Sequence, residues 1–263
     1  MNPQNGGNGM NLDLTDDTVT NIDLEFSFRY YGNDYNSISI CSNGWISFEE
    51  EDIPYFWNFS IPMGLGPSAM VAPYFDDLDD NGGTEEFNVF YLNDSDGRLI
   101  IQWDNVANGE DDDLCDDYDE DGNSLCVRET FQVILYNPEM YPTSTGDGEI
   151  VFQYKEINDI DSNGNYSTIG IESPDQNDGV QVLFADEMHP CIPEILNVNQ
   201  EFAIKFTTDI QSDFPIMLGD LNQDESIDVF DILLIVQIIL GEATPTDYQF
   251  LASDFNQDND ITV

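Results

Sequence analysis

Between Ile22 and Tyr30 the apolar residues Ile22, Leu24, Phe26, Phe28 and Tyr30 alternate with polar ones. That two-residue period turns one face of a strand toward a core. It recurs at Ile38 and Ile40, and at Ile46 and Phe48 beyond the turn Ser42-Asn43-Gly44. Further along it marks Leu99, Ile101 and Trp103; Phe131, Val133 and Leu135; Ile150, Phe152 and Tyr154; and Phe202, Ile204 and Phe206. Gly, Asn, Asp and Pro punctuate these short runs, a spacing that predicts an all-β fold, an antiparallel sandwich of about ten strands over residues 21–208. Residues 1–20, rich in Asn and Gly, read as a flexible N-terminal arm, although Leu12, Leu14 and Val19 would let it serve as an edge strand.

The period breaks after Thr208. Residues 209–218 read as a linker, and residues 219–263 as a small second unit. Within it Val229 to Leu240, VFDILLIVQIIL, predicts a helix closed by Gly241 at the expected C-terminal position. Its residues are apolar nearly all round, so the helix needs cover on most of its faces.

Just before this helix, oxygen-bearing residues fall at a repeated interval. Asp220, Asn222, Asp224, Ser226 (through its carbonyl), Asp228 and Asp231 occupy positions 1, 3, 5, 7, 9 and 12 of a loop. Calcium takes six to eight oxygens in that arrangement, with the last carboxylate on the first turn of the exiting helix. A plain acidic turn capping a helix at Asp228 would have to match the whole spacing by chance. The stretches Gly219-Asp220-Leu221-Asn222-Gln223-Asp224, Asp231-Ile232-Leu233 and Ile239-Leu240-Gly241 resemble a dockerin type I repeat. A second copy starts at Ser253 and offers Asp254, Asn256, Asp258 and Asp260, but the sequence stops at Val263, position 10 of that loop. The resemblance implies Ca2+ as the cofactor, a secreted protein and attachment to another protein such as a cohesin-type receptor. Glu225 and Asn259 depart from it, standing where position 6 is usually glycine.

The β region is similar to the nidogen-type (NIDO-like) domain of secreted multidomain proteins. The similarity is carried by Phe28-Arg29-Tyr30-Tyr31-Gly32, Ser42-Asn43-Gly44-Trp45-Ile46-Ser47-Phe48, Ala72-Pro73-Tyr74-Phe75-Asp76-Asp77-Leu78-Asp79, Leu99 to Trp103, Phe131 to Leu135, Ile150 to Tyr154 and Thr168 to Glu172. It implies an adhesive or structural module. Three acidic turns inside the region copy the first half of a calcium loop: Asp117, Asp119 and Asp121; Asp159, Asp161 and Asn163; and Asp77, Asp79 and Asn81. Arg128, Gly170 and Asn88 hold their twelfth positions, so each also reads as a turn, where Asp and Asn are common for local reasons.

Charge sharpens the picture. With 54 Asp and Glu against 5 Lys and Arg, the formal net charge is -49. Nucleic acid and anionic membranes are excluded as partners, because binding phosphate requires Lys and Arg. Bound divalent cations or a high-salt medium would relieve the self-repulsion. The four cysteines lack zinc-site spacing and predict disulfides, with Cys115 and Cys126 as the local pair across a short acidic loop and Cys41–Cys191 by default. An oxidising, extracellular setting follows, secreted or at the cell surface. No apolar run has membrane-spanning length, and Met1 opens a polar stretch in place of a signal peptide, as in a mature chain or a piece of a longer one.

Catalysis finds little footing. His189 is the single histidine, so multi-histidine zinc sites are ruled out, and no serine nucleophile elbow is present. His189 beside Cys191 reads as a loop histidine next to a disulfide cysteine. Among so many acids no carboxylate pair stands out, Asp76 and Asp77 being the nearest to one. Sequons at Asn58, Asn93 and Asn165 permit glycosylation. The expectation is therefore a non-catalytic extracellular structural or adhesive protein that binds calcium and assembles through its termini, as a homopolymer or head-to-tail filament. The alternative is an accessory or docking module of a larger secreted hydrolase or peptidase.

Overall fold

Alternation becomes strand pairing in the computed structural model, which describes residues 9–79, 88–108, 128–157, 167–184, 187–188, 202–209, 218–222 and 226–253. Two units are distinct, Met1–Asp209 and Ile210–Val263. The first unit holds two antiparallel sheets. One runs β1 (Met10–Asn11), β7 (Asn88–Asn93), β8 (Arg98–Asn108), β9 (Glu129–Tyr136), β10 (Ile150–Glu156), β14 (Phe202–Phe206), with β6 (Leu78–Asp79) also against β8. The other runs β13 (Glu187–Met188), β12 (Gly179–Phe184), β11 (Thr168–Glu172), β5 (Met70–Phe75), β4 (Ile46–Ser47), β3 (Asn33–Cys41), β2 (Val19–Tyr30). Among the described residues ten of the fourteen strands are five residues or longer, as the spacing predicted, and the rest are two-residue pairings.

The inward residues of both sheets form one core. Trp103 stacks on Phe131 at 5.2 Å, and Tyr74 from the opposite sheet lies 5.3 Å from Phe131. Buried aromatics need partners for their polar tips, and here those partners lie across the sandwich. Trp103 Nε1 donates to Cys41 O at 3.1 Å and Ser42 O at 3.0 Å, and the Tyr154 hydroxyl donates to Pro73 O at 2.6 Å. Gly44 turns the chain at φ +74, and a Cβ there would stand 1.7 Å from Tyr74 O, so only glycine fits. The β2–β3 hairpin turns on Tyr31 and Gly32 at φ 45 and 76, both left-handed as a two-residue hairpin requires.

Residues 9–20 do not form a mobile arm. β1 pairs with β7, Leu12 N donates to Val89 O at 2.9 Å, Leu14 is buried, and Val19 opens β2. The apolar residues of this stretch find the core of their own chain, which is why the low-complexity opening does not extend through it. Cys41, expected to bond Cys191, carries a free thiol enclosed with Trp45, Met70 and Phe75. Burial pushes this thiol up to about 12, so it is protonated and inert. Cys115, Cys126 and Cys191 lie outside the described residues.

The outer face of the second sheet is covered by an irregular strap, residues 55–68. Tyr55, Phe59 and Ile61 pack beneath it on Trp45, Ala72 and Phe75. Six hydrogen bonds from sheet and turn side chains fix its backbone. Trp45 Nε1, Thr168 Oγ1, Gln176 Nε2 and Ser47 Oγ donate to the carbonyls of Tyr55, Phe59, Gly66 and Ser68, while Ile61 N and Met63 N donate to Gln181 and Glu172. Glu172 is fully buried, and its Oε2 is enclosed without a hydrogen bond. Burial raises its pKa, opposed by the Met63 N–H and, at longer range, by the Gln176 amide. A carboxyl whose folded pKa is raised contributes most below its unfolded pKa, and that contribution is lost as pH rises through the folded value. Glu172→Gln keeps the acceptor for Met63 and removes the charge. The variant is expected to melt about 2–4 °C above the parent at pH 7, with the difference closing toward pH 4. Thermal scans across that range check it, and a variant no more stable than the parent at pH 7 contradicts it.

Candidate functional site

The predicted helix forms as α1 (Val229–Ile239), with Asp228 as its N-cap. Asp228 Oδ1 accepts from Phe230 N at 2.8 Å, and Asp231 Oδ2 accepts from Asp228 N at 2.8 Å, a reciprocal capping box. Gly241 closes the helix at φ 71, donating to Ile238 O at 2.9 Å. Asp231 does more than cap. Its Oδ1 also accepts from Leu221 N at 2.8 Å and Asn222 N at 3.2 Å, which brings loop position 12 against positions 2 and 3. Three backbone N–H groups therefore converge on one carboxylate. They hold its pKa below the ordinary value, with the Asp228 N–H the largest influence.

These bonds draw the two ends of the loop together. Asp220 and Asp231 are buried at the two ends of the loop, and Asn222, Ser226 and Asp228 are exposed around it. The donor set is all oxygen, apt for a hard cation, so the residues present fit calcium. Asp224 and the second-copy residues Asp254, Asn256, Asp258 and Asp260 lie outside the described residues.

One element escaped the sequence reading. α2 (Asp247–Ser253) precedes the second copy, and its capping box of Thr246 and Gln249 was legible as Thr-x-x-Gln. It covers the start of the first loop: Gly219 N donates to Ala252 O at 2.8 Å, and Leu221 and Ala252 are both buried. α1 gains little such cover. Phe230, Ile232, Val229 and Leu233 are 61%, 58%, 58% and 52% exposed, and Asp231 is the buried residue of the helix.

Of the three acidic turns in the sandwich, Asp77 and Asp79 are described, while Asn81, Asp117, Asp119, Asp121, Asp159, Asp161 and Asn163 lie outside the described residues. The carboxylate of Asp77 lies with those of Asp16 and Asp17, oxygens within 4.8 Å of one another, and Asn43 Nδ2 donates to Asp17 Oδ1 at 2.9 Å. Asp16 and Asp17 had been assigned to the arm, and nothing in the local sequence joins them to a residue sixty positions away. Asp76 is buried and accepts from Asn108 Nδ2 at 2.6 Å, within the sandwich frame.

Comparison with known proteins agrees with this division. A family model described as NIDO related matches residues 2–191, and one for the dockerin type I domain matches residues 218–263. No curated protein and no solved structure matches the chain. Dockerin type I domains bind calcium and dock onto proteins, and both kinds of domain are non-catalytic modules. Among the described residues no helix is long and apolar enough to cross a membrane.

Proposed function

We propose that this chain, which belongs to the NIDO-related family, is a non-catalytic extracellular protein whose sandwich is joined to a partner protein through its calcium segment. The observation that carries the reading is α1, which sets Phe230, Ile232 and Leu233 in solvent directly after the calcium loop. Among the described residues little covers this apolar helix, and such a face suits a partner. Calcium at Asp220, Asn222, Asp224, Ser226, Asp228 and Asp231 fixes the loop from which α1 departs, so docking depends on the ion. Dockerin modules are typical of secreted and cell-surface proteins, which supports a place outside the cell.

The partner is either a cohesin-type receptor or a further copy of the chain. Self-association would run head to tail, and a contact of that kind that does not close builds a filament. Leu12 and Leu14 pack in their own sandwich, so α1, not the N-terminal stretch, supplies the apolar contact. Light scattering of the purified chain with calcium, with chelator and as Phe230→Asp tests assembly. The expected result is a mass above the monomer with calcium that falls to the monomer in the other two conditions. A monomer in all three ends the self-assembly reading.

A further inference from the structure

Between the two sheets, beside the tip of the β2–β3 hairpin, lies a cavity of about 390 Å³. That is within the range of ligand pockets, roughly 300–1,000 Å³. Its walls are apolar: the Tyr30 ring, Ile150, Ile171, Val180 and Phe206. Val180 is 42% exposed, which places it at the mouth.

Polar groups ring this mouth, and nearly all are already engaged with one another. Asp147 accepts from Gly32 N at 2.7 Å through Oδ1 and from Thr145 Oγ1 at 2.6 Å through Oδ2. Lys205 Nζ is 2.5 Å from Glu149, which also accepts from Thr207 Oγ1 at 3.0 Å. Thr208 and Thr145 share a hydrogen bond of 2.7 Å. The exception is the Tyr31 hydroxyl, which makes no hydrogen bond among the described residues; its ring is held edge-on to Tyr30 at 4.9 Å. Burial, and after it the charges of Asp178 and Glu172, push this phenol up to about 12, so at neutral pH it is a donor.

We propose that the cavity binds a neutral, largely apolar organic group that carries one hydrogen-bond acceptor, oriented by the Tyr31 hydroxyl. An anion is rejected: Asp147 lines the site, the charge of Asp178 acts on Tyr31, and the one cation among the lining residues, Lys205, is paired with Glu149. A cation would compete with donors already in place, since each Asp147 oxygen accepts a hydrogen bond, from Gly32 N and Thr145 Oγ1. The same chemistry is carried by a free small molecule and by an apolar side chain with its adjoining peptide carbonyl. The site lies wholly in the sandwich, so it stands apart from docking through α1.

The test is ligand-observed NMR on the full chain in calcium buffer, with acetophenone, toluene, benzoate and N-acetylphenylalanine amide as probes. Acetophenone is expected to bind saturably, and benzoate at least tenfold more weakly. Tyr31→Phe should weaken acetophenone about threefold to tenfold and leave toluene unchanged, as loss of one hydrogen bond predicts. Val180→Trp, which fills the mouth, should abolish both. Tighter binding of N-acetylphenylalanine amide than of acetophenone assigns the site to a polypeptide segment, and weaker binding assigns it to a small molecule. Benzoate binding as well as acetophenone, Tyr31→Phe without effect, or no saturable binding by any probe overturns the proposal.

Discussion

Trp103→Ala should lower the stability of the sandwich by about 3–5 kcal/mol from the lost side chain alone, the usual range for removing a buried tryptophan. The expected total is larger. Trp103 is fully buried, and its indole N–H is shared between the carbonyls of Cys41 and Ser42 on the opposite sheet. Removing the donor takes a bond from both carbonyls; Ser42 O keeps that from Gly44 N, so the added cost falls on Cys41 O, about 1–3 kcal/mol if water cannot reach it. Folded domains are stable by only about 5–15 kcal/mol. The variant is therefore expected to be largely unfolded at 37 °C, visible as loss of near-ultraviolet circular dichroism. Trp103→Phe retains most of the stack on Phe131 and should fold, with a lower melting temperature. A cooperative Trp103→Ala variant melting within a few degrees of the parent would show that the cross-sheet bonds contribute nothing.

The second large effect is expected at Asp231 and has two parts that separate with chelator. With calcium present, Asp231→Ala removes the position-12 carboxylate, and affinity should fall by roughly 10- to 100-fold or more. Without calcium the same variant should still be damaged, because Asp231 also accepts the N–H groups of Leu221, Asn222 and Asp228, bonds that need no ion. Asp224→Ala is the control: it should weaken calcium binding and leave the chelated protein as it was. The measurement is helical circular dichroism, with and without chelator, across parent and both variants. Equal signals for parent and Asp231→Ala in chelator would remove the metal-independent role.

The parts of this molecule legible in its sequence are those whose strands send every second residue into the main core, although Ile100, Ile134 and Val151 on the other face are buried too. β8, β9 and β10 face the core with every second residue, and Leu99, Ile101, Phe131, Val133, Ile150 and Phe152 were found by that period. β5 has no such period, because the strap covers its outer side and all six of its residues are buried. The strap itself has neither period, since its backbone bonds go to side chains scattered from Trp45 to Gln181. The first loop was legible because its ligands and its helix are adjacent in the chain. The closeness of Asp16 and Asp17 to Asp77 was not, because it depends on how three segments meet in space. Tyr31 entered only as part of the stretch Phe28 to Gly32, and its place on a cavity is set by β10, β11, β12 and β14, none of them near it in sequence.

The strap carries a consequence for how the protein meets proteases. Phe56 and Trp57 project from it, 39% and 77% exposed, beside peptide bonds that an aromatic-directed protease would choose. A protease needs its substrate extended in the active site, and this backbone is tied down at Tyr55, Phe59, Ile61, Met63, Gly66 and Ser68. Cutting there must wait for the strap to lift from the sheet, so the cleavage rate follows the fraction of molecules in which it has opened. What resembles a vulnerable loop on the surface is thus cut only as often as the strap opens.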